Sequence, residues 1–166
     1  MSAFEYMDDD EQLDFAILSS GPVGLFRSAD QLAGAVETLA GLGYQVVRFD
    51  ASGWRSESEL FDAFVGALDF PSYFGRNWDA FEEVISDIGS GDLSWPQDAT
   101  GLIITIEHAD DLSKVSRRAT RLLVESFADA SRLASLYGNR FILILQVHER
   151  TARSLTDATS SVARWQ

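Results

Sequence analysis

Apolar and polar positions alternate along the chain in blocks of two kinds. The runs GLIITIEH (101–108) and RFILILQV (140–147) are almost continuously apolar, which is typical of strands covered on both faces of a sheet. YQVVRFD (44–50) predicts a further strand. Apolar residues recur at helical spacing in other segments, and strands that alternate with helices predict an α/β fold with a mainly parallel sheet. The predicted helices cover about 30–42, 56–68, 77–89 and 113–137.

The two ends of the chain show this pattern less clearly. Residues 1–12 carry five acids and no bases, which predicts a flexible acidic tail. The stretches FAILSS and VGLFRS are predicted as two short strands or one interrupted strand, and with the helix that follows they make 14–43 an N-terminal β–α unit. Residues 148–166 are polar and weakly patterned, so we expect a C-terminal tail there. The pattern therefore predicts one α/β domain over residues 13–147.

One predicted helix, within FPSYFGRNWDAFEEVISDI (70–88), divides into two different faces. Asp79, Glu83 and Asp87 follow one another at intervals of four, and like charges at that spacing cost a few tenths of a kcal/mol per pair. Asp79 gains some stability from the positive end of the helix dipole, whereas Asp87 does not. Such a stripe indicates either a partner that supplies positive charge or an ordinary solvated face. The apolar residues form the opposite face and are expected to pack into the core: Trp78, Phe81, Val84, Ile85 and Ile88.

The segment before this helix carries candidate contact residues. Asn77 is a predicted N-cap, and Gly75 is expected to allow a sharp turn or a positive φ. Of the neighbouring Tyr73 and Phe74, we expect one to be buried. An exposed aromatic side chain beside carboxylates would make a good binding anchor.

Composition strengthens the prediction of a basic partner. The 166 residues include 26 acids and 13 bases, for a net charge of −13, which repels nucleic acid and anionic membranes and attracts basic proteins. Much of this charge is concentrated, because residues 77–113 hold nine acids and no base. The chain has no cysteine, which excludes disulfides, thiol catalysis and zinc–thiolate sites and fits the cytoplasm. No apolar run is long enough to predict a membrane span.

The motif YFGRNWDAFEE resembles the signature of the barstar family, the intracellular inhibitors of barnase-type, guanyl-specific ribonucleases. The order of strands and helices over about 44–147 also resembles that family. The resemblance implies a small α/β fold with a mainly parallel sheet of three to four strands packed with helices. It also implies that the aromatic loop and the acidic helix plug the ribonuclease active site.

The resemblance implies roles for individual residues as well. Tyr73 matches the loop aromatic residue that stacks on the enzyme, Asp79 and Glu83 match contacting carboxylates, and Ser86 matches a contacting threonine. The sequence departs from the family where Glu82 replaces an interface tryptophan and where Glu83 is one methylene longer than aspartate. It also has Leu133 and Tyr137 in place of glutamates on the long helix. The residues expected to contact the partner are Tyr73, Phe74, Gly75, Asn77, Asp79, Glu82, Glu83, Ser86 and Asp87.

By this resemblance, the expected function is that of an inhibitor or immunity protein, not an enzyme. It would bind a basic ribonuclease or ribonuclease toxin about 1:1, with no cofactor, metal, nucleic acid or membrane, and would be a monomer when free. The first alternative is a barstar-like module whose basic target is not a ribonuclease. The second alternative is an enzyme of unknown type.

Other chemistry is weakly indicated. Two carboxylates on one helix face fit poorly with glycoside hydrolysis, which needs acids on opposite sides of a bond. Glu107, His108, Asp110 and Asp111 are a possible metal set, although acids at the start of a helix are expected as caps. His148 follows the last predicted strand and is expected, like His108, to be structural.

Overall fold

Strands and helices alternate along most of the chain. The computed structural model describes residues 13–14, 16–18, 21–158 and, with backbone only for most of its last strand, 162–165. The strands are β1 (Val23–Phe26), β2 (Gln45–Asp50), β3 (Leu102–Glu107), β4 (Phe141–Gln146) and β5 (Val162–Trp165). The helices are α1 (Ala29–Gly41), α2 (Glu57–Leu68), α3 (Trp78–Ser90), α4 (Ala109–Val115), α5 (Arg117–Leu136) and α6 (Glu149–Ala158). A short 3₁₀ helix, Ala51–Gly53, follows β2.

The strands form one sheet in the order β2-β3-β4-β1-β5, and all of its pairs are parallel. This confirms the predicted α/β class with a parallel sheet. Strands β1 to β4 match the expected number, and β5 extends the sheet beyond β1. No helix formed by residues that the structure describes is long and apolar enough to span a membrane.

The two central strands are buried on both faces, as their apolar runs predicted. Side chains of a strand point alternately to opposite faces, and β3 follows this rule. Ile103 packs with α1 on one face, whereas Leu102 and Ile104 join the larger cluster on the other. That larger cluster holds the apolar sides of α2, α3 and α5. The apolar side chains of β3 are therefore divided between two separate cores.

Side-chain caps fix where four helices begin. Ser28 Oγ accepts from the backbone N–H of Asp30 and Gln31 ahead of α1. Ser56 and Asn77 cap α2 and α3 in the same way, so the predicted starts of both helices are confirmed. Ser116 caps α5 by accepting from the Ala119 N–H at 3.0 Å.

Two elements differ from the predicted pattern. The long helix predicted over 113–137 is two helices, because Ser116 adopts an extended conformation (φ −157°, ψ 108°) and ends α4 while capping α5. Residues 16–18, predicted within a strand, are helical. Ile17 is fully buried beside α1, with Leu13 and Leu18 packed around it, a spacing that fits a helix better than a strand.

The N-terminal segment contains the strand and helix predicted for it, whereas the C-terminal segment differs from its prediction. Segment 14–43 contributes β1 and α1, and β1 pairs with β4. Residues 148–166, expected as a tail, instead carry α6 and β5. The inner side of α6 buries only Ala152 and Leu155, which explains why the apolar pattern was too weak to predict a helix. The acidic tail predicted over 1–12 lies outside the described residues.

The entry into β3 gives a test of the close packing at this point. A Cβ atom on Gly101 would lie 2.4 Å from the carbonyl oxygen of Arg140 and 2.7 Å from Cε1 of Tyr44. Because backbone would have to move, we expect Gly101→Ala to lower the free energy of unfolding by ~2–3 kcal/mol, measured by urea denaturation.

Gly34→Ala is the matched control for this prediction. A Cβ atom on Gly34, within α1, would have no neighbour within 4 Å. Alanine should therefore be neutral there or stabilise the protein by up to ~1 kcal/mol through helix propensity. Equal effects of the two substitutions would contradict the packing argument.

Candidate partner-binding face

Helix α3 is anchored by its apolar side and presents its acids to solvent. All five predicted core residues are buried, which confirms the predicted division of the helix. The rings of Phe81 and Trp78 lie 5.2 Å apart, and Phe81 also contacts Phe64 of α2 and Phe127 of α5. On the other side Asp79, Glu82 and Glu83 are exposed. The buried aromatic side chains hold the carboxylates in fixed positions.

The two aromatic side chains of the loop before α3 point in opposite directions. This agrees with the prediction that one of them is buried. Phe74 turns inward, and its ring lies 5.5 Å from that of Phe61 and 5.0 Å from that of Phe70. Tyr73 turns outward and is 71% exposed. A large exposed aromatic side chain is therefore held next to the start of the acidic helix.

The positive φ expected at Gly75 occurs instead at Arg76 (φ 52°). Gly75 instead packs closely against the helix start, because a Cβ atom there would lie 3.1 Å from Nδ2 of Asn77. The turned backbone directs the guanidinium of Arg76 towards α2. Its Nη2 lies 2.8 Å from a carboxylate oxygen of Asp62 and donates to Oγ of Ser58. The one base of the motif is thus paired with α2.

Asn77 completes the junction between loop and helix. Its Oδ1 accepts from the Ala80 N–H at 2.8 Å, and its Nδ2 donates to the carbonyl of Gly75. The side chain therefore ties the loop to the first turn of α3. This places Asn77 in the scaffold of the face.

Helix α5 adds carboxylates that were not predicted from the sequence to lie beside α3. Glu82 lies near Asp129 and Glu125 of α5, and in its protonated form it can donate a hydrogen bond to Asp129. Partial desolvation of its carboxyl raises the pKa of Glu82; the hydrogen bond that the protonated form donates to Asp129 and the charge of Asp129 raise it further, followed by the charges of Asp79 and Glu125. The arginines of α5 are close by: Arg132 Nη1 lies 3.2 Å from Asp129 and Arg121 Nε 3.8 Å from Glu125.

Two further predicted residues lie along α3. Ser86 and Asp87 are half-buried. Partial burial raises the pKa of Asp87, and the charges of Glu83 and Asp92 add to the effect. The repulsion between Glu83 and Asp87 is the one predicted from their spacing of four residues. We define the acidic face as Asp79, Glu82, Glu83, Asp87, Glu125 and Asp129.

The departures on the long helix fall at its end. Leu133 is half-buried, whereas Leu136 and Tyr137 are 83% and 63% exposed. This end of α5 therefore presents apolar side chains where the resemblance implied glutamates.

The possible metal set is arranged differently from the prediction. Asp110 is buried, and its carboxylate accepts from the His148 backbone N–H at 2.9 and 3.1 Å, so it does not join Glu107 and His108. Asp50 takes its place, and its Oδ1 lies 2.9 Å from Nδ1 of His108. Within the described part of the chain these three side chains offer ligand atoms within 4.8 Å of one another.

Asp50 of this set already has partners within the protein. Hydrogen bonds from Ser52, and then from His108, hold the pKa of its carboxyl below the usual value. The backbone N–H of Ser52 donates to it at 2.9 Å, which caps the 3₁₀ helix. A structural role thus accounts for Asp50.

Comparison with known proteins places this geometry in context. The family model described as "Barstar (barnase inhibitor)" matches residues 44–146, which include the loop, the acidic face and four of the helices. No curated protein sequence matches the chain.

Similar solved structures come from larger proteins. The ORC2 protein of Aeropyrum pernix in its ADP form has a TM-score of 0.57 and 14% identity, and the match covers 92% of this chain and 45% of that one. The same protein in ADPNP–ADP complexes has a TM-score of 0.54 and 11% identity, covering 94% and 45%. This chain spans less than half the length of those proteins, and the likeness is one of fold.

The Glu82–Asp129 contact predicts an effect of pH on stability. Glu82 has a higher pKa in the folded protein than its ordinary value of 4.5, so the folded state binds more protons above that pH. Stability from this group is therefore gained as pH falls and lost as pH rises through the folded pKa. We expect Glu82→Gln to raise the free energy of unfolding at pH 7 by ~0.5 kcal/mol.

This gain should shrink as the pH is lowered towards 4.5, because wild-type Glu82 then becomes protonated. Urea denaturation at several pH values measures the difference. Glu37→Gln, at an exposed position of α1, is the control and should have little effect at any pH. A Glu82→Gln variant less stable than wild type at pH 7 would contradict the raised pKa of Glu82 in the folded protein.

Proposed function

The chain belongs to the barstar family, and on that basis we propose that it binds a basic, barnase-type ribonuclease or ribonuclease toxin and blocks its active site. The acidic face and Tyr73 would form the contact surface of a 1:1 complex. Without its partner, the inhibitor would be a monomer. The protein would act in the cytoplasm as an immunity protein or antitoxin, where it protects the host's own RNA. It would need no cofactor and perform no catalysis.

The observation that carries this proposal is a rigid acidic helix without a neutralising base in its own motif. Residues 77–113 contain no Lys or Arg, and Arg76 is paired with Asp62 on α2. Glu82 lies near Asp129, so negative charge is concentrated on the acidic face. This concentration raises the pKa of Glu82. A basic partner would relieve the repulsion on binding. A solvated helix without a binding partner would gain no stability from carboxylates concentrated on one face.

The proposed mechanism follows from the chemistry of ribonuclease sites. Such a site must hold the phosphates of RNA, so it presents Arg, Lys or His side chains. Carboxylates on a fixed helix offer anionic oxygens to those groups with no bond to cleave, and charge-assisted hydrogen bonds to arginine are among the stronger contacts in proteins. Because the buried side of α3 fixes the helix beforehand, little ordering entropy is lost on binding. The net charge of −13 would also speed the encounter with a basic enzyme.

Specific observations also favour the first alternative, a basic target of another kind. Glu82 is engaged with Asp129 rather than presenting a large aromatic surface. The end of α5 has Leu133 and Tyr137 where the resemblance implies carboxylates, and Tyr137 is exposed. A module built this way would keep the acidic face but ignore ribonucleases.

The first test is titration of the purified protein into a barnase-type ribonuclease while RNA cleavage is measured. Wild type should inhibit at a 1:1 ratio. Asp79→Asn and Glu83→Gln should each weaken binding about ten- to hundredfold, because each removes a charge-assisted contact worth ~1.5–3 kcal/mol.

Asp98→Asn is the matched control, since Asp98 is an exposed acid of the loop between α3 and β3. It should inhibit as wild type does. Absence of inhibition by wild type would exclude barnase-type ribonucleases as the target. Equal weakening by Asp79→Asn, Glu83→Gln and Asp98→Asn would show that only the net charge matters for binding.

The two loop aromatics provide a second test, which separates binding from folding. Tyr73→Ala should weaken inhibition but leave the melting temperature within ~1–2 °C of wild type, because Tyr73 is exposed. Phe74→Ala should instead lower the free energy of unfolding by ~2–3 kcal/mol, because its ring packs against Phe61 and Phe70. Calorimetry and inhibition assays measure the two effects. A Tyr73→Ala variant that inhibits fully would remove Tyr73 from the contact surface.

A further inference from the structure

A cavity of about 630 Å³ opens at the carboxyl end of the sheet, between α4, the start of α5 and α6. Three cationic side chains line it: Lys114, Arg117 and Arg150. In a protein with a net charge of −13, this is a local concentration of positive charge. The helical rise of 1.5 Å per residue places Arg117 roughly 12 Å along α5 from Glu125 and roughly 18 Å from Asp129. The cavity is therefore separate from the acidic face.

Two of these cations have no carboxylate partner in the described part of the chain. Arg117 and Arg150 make no ion pair with any residue that the structure describes. Arg27, Arg76 and Arg140, by contrast, each have a carboxylate oxygen within 3.2 Å. Two guanidinium groups at one cavity thus keep their full hydrogen-bonding capacity for a ligand.

The other polar groups of the cavity suit an anion as well. Lys114 contacts the carboxylate of Asp111 at 3.2 Å and, being 77% exposed, can turn towards a ligand. Thr151 and Ser154 of α6 offer hydroxyl donors. Among the lining residues that the structure describes, Asp110 is the one carboxylate; it is buried, and both of its oxygens accept from the His148 backbone N–H. Its charge is thereby partly satisfied from within the protein.

We propose that this cavity binds a small phosphate-bearing molecule, with Arg117 and Arg150 as the principal phosphate ligands. The planar guanidinium donates two parallel hydrogen bonds to phosphate oxygens, and hydroxyl groups and a lysine add single contacts. The volume lies within the range of small-molecule sites, about 300–1,000 Å³, and exceeds what one phosphate fills. The carboxyl end of a parallel sheet is also where α/β proteins commonly bind ligands.

Isothermal titration calorimetry of the full chain at low ionic strength tests this proposal, with inorganic pyrophosphate and ADP as separate probes. At least one probe should bind 1:1 to wild type. Arg117→Gln and Arg150→Gln should each weaken binding about tenfold or more, because each loses charge-assisted hydrogen bonds. Arg118→Gln is the matched control, since Arg118 is exposed on the same helix but does not line the cavity.

Melting temperatures without ligand establish that the variants are folded. Tighter binding of ADP than of pyrophosphate would indicate that the rest of the cavity contacts an organic group of the ligand. Equal binding of the two probes would indicate that the phosphate groups alone provide the affinity. Failure of both probes to bind at millimolar concentration, or equal weakening by Arg118→Gln, would overturn the proposal. Ribonuclease inhibition is measured at the other face, so its outcome is independent of this one.

Discussion

The close packing of α3 against α5 is the constraint on which the rest of the structure depends. Gly89 makes it possible, because a Cβ atom there would lie 3.0 Å from the Ala130 carbonyl and 3.3 Å from the Ala134 side chain, both on α5. Beyond the end of α5, Asn139 donates from Nδ2 to the carbonyl of Gly89 at 3.0 Å. The same approach that buries Phe81 and Phe127 brings Glu82 against Asp129. Core packing and the accumulation of charge are thus two results of one helix crossing.

The relative sizes of the energies explain why the protein tolerates this arrangement. Each fully buried large apolar side chain stabilises the fold by ~1.5–3 kcal/mol, and α3 alone buries five apolar residues. A like-charge pair on a helix surface costs only a few tenths of a kcal/mol. Several such pairs remain a small part of the total. The fold can therefore maintain a face that repels itself, provided that the apolar side of α3 stays intact.

Elements with a strong local pattern in the sequence could be predicted, whereas contacts between distant segments could not. The continuous apolar runs of β3 and β4 and the two-sided pattern of α3 were predicted correctly, because burial repeats over many residues there. The break at Ser116 was missed because apolar residues continue across it, and only the conformation of one serine divides the helices. The contact between Glu82 and Asp129 joins residues 47 positions apart and has no signal in either segment alone. The same holds for the cationic cavity, whose lining comes from three helices.

The order of the strands protects the sheet against aggregation through an exposed strand edge. All six residues of β4 are buried, and β1 pairs along the side of β4 that β3 leaves free. Without β1, that side would be an unpaired strand edge in which five of the six residues are apolar, and such an edge is a known template for aggregation. β5 in turn pairs with β1 and with no other described strand, so it loses its place in the sheet if β1 is removed. The two outlying strands, one from each end of the chain, thus shield the edge of the segment that carries the acidic face.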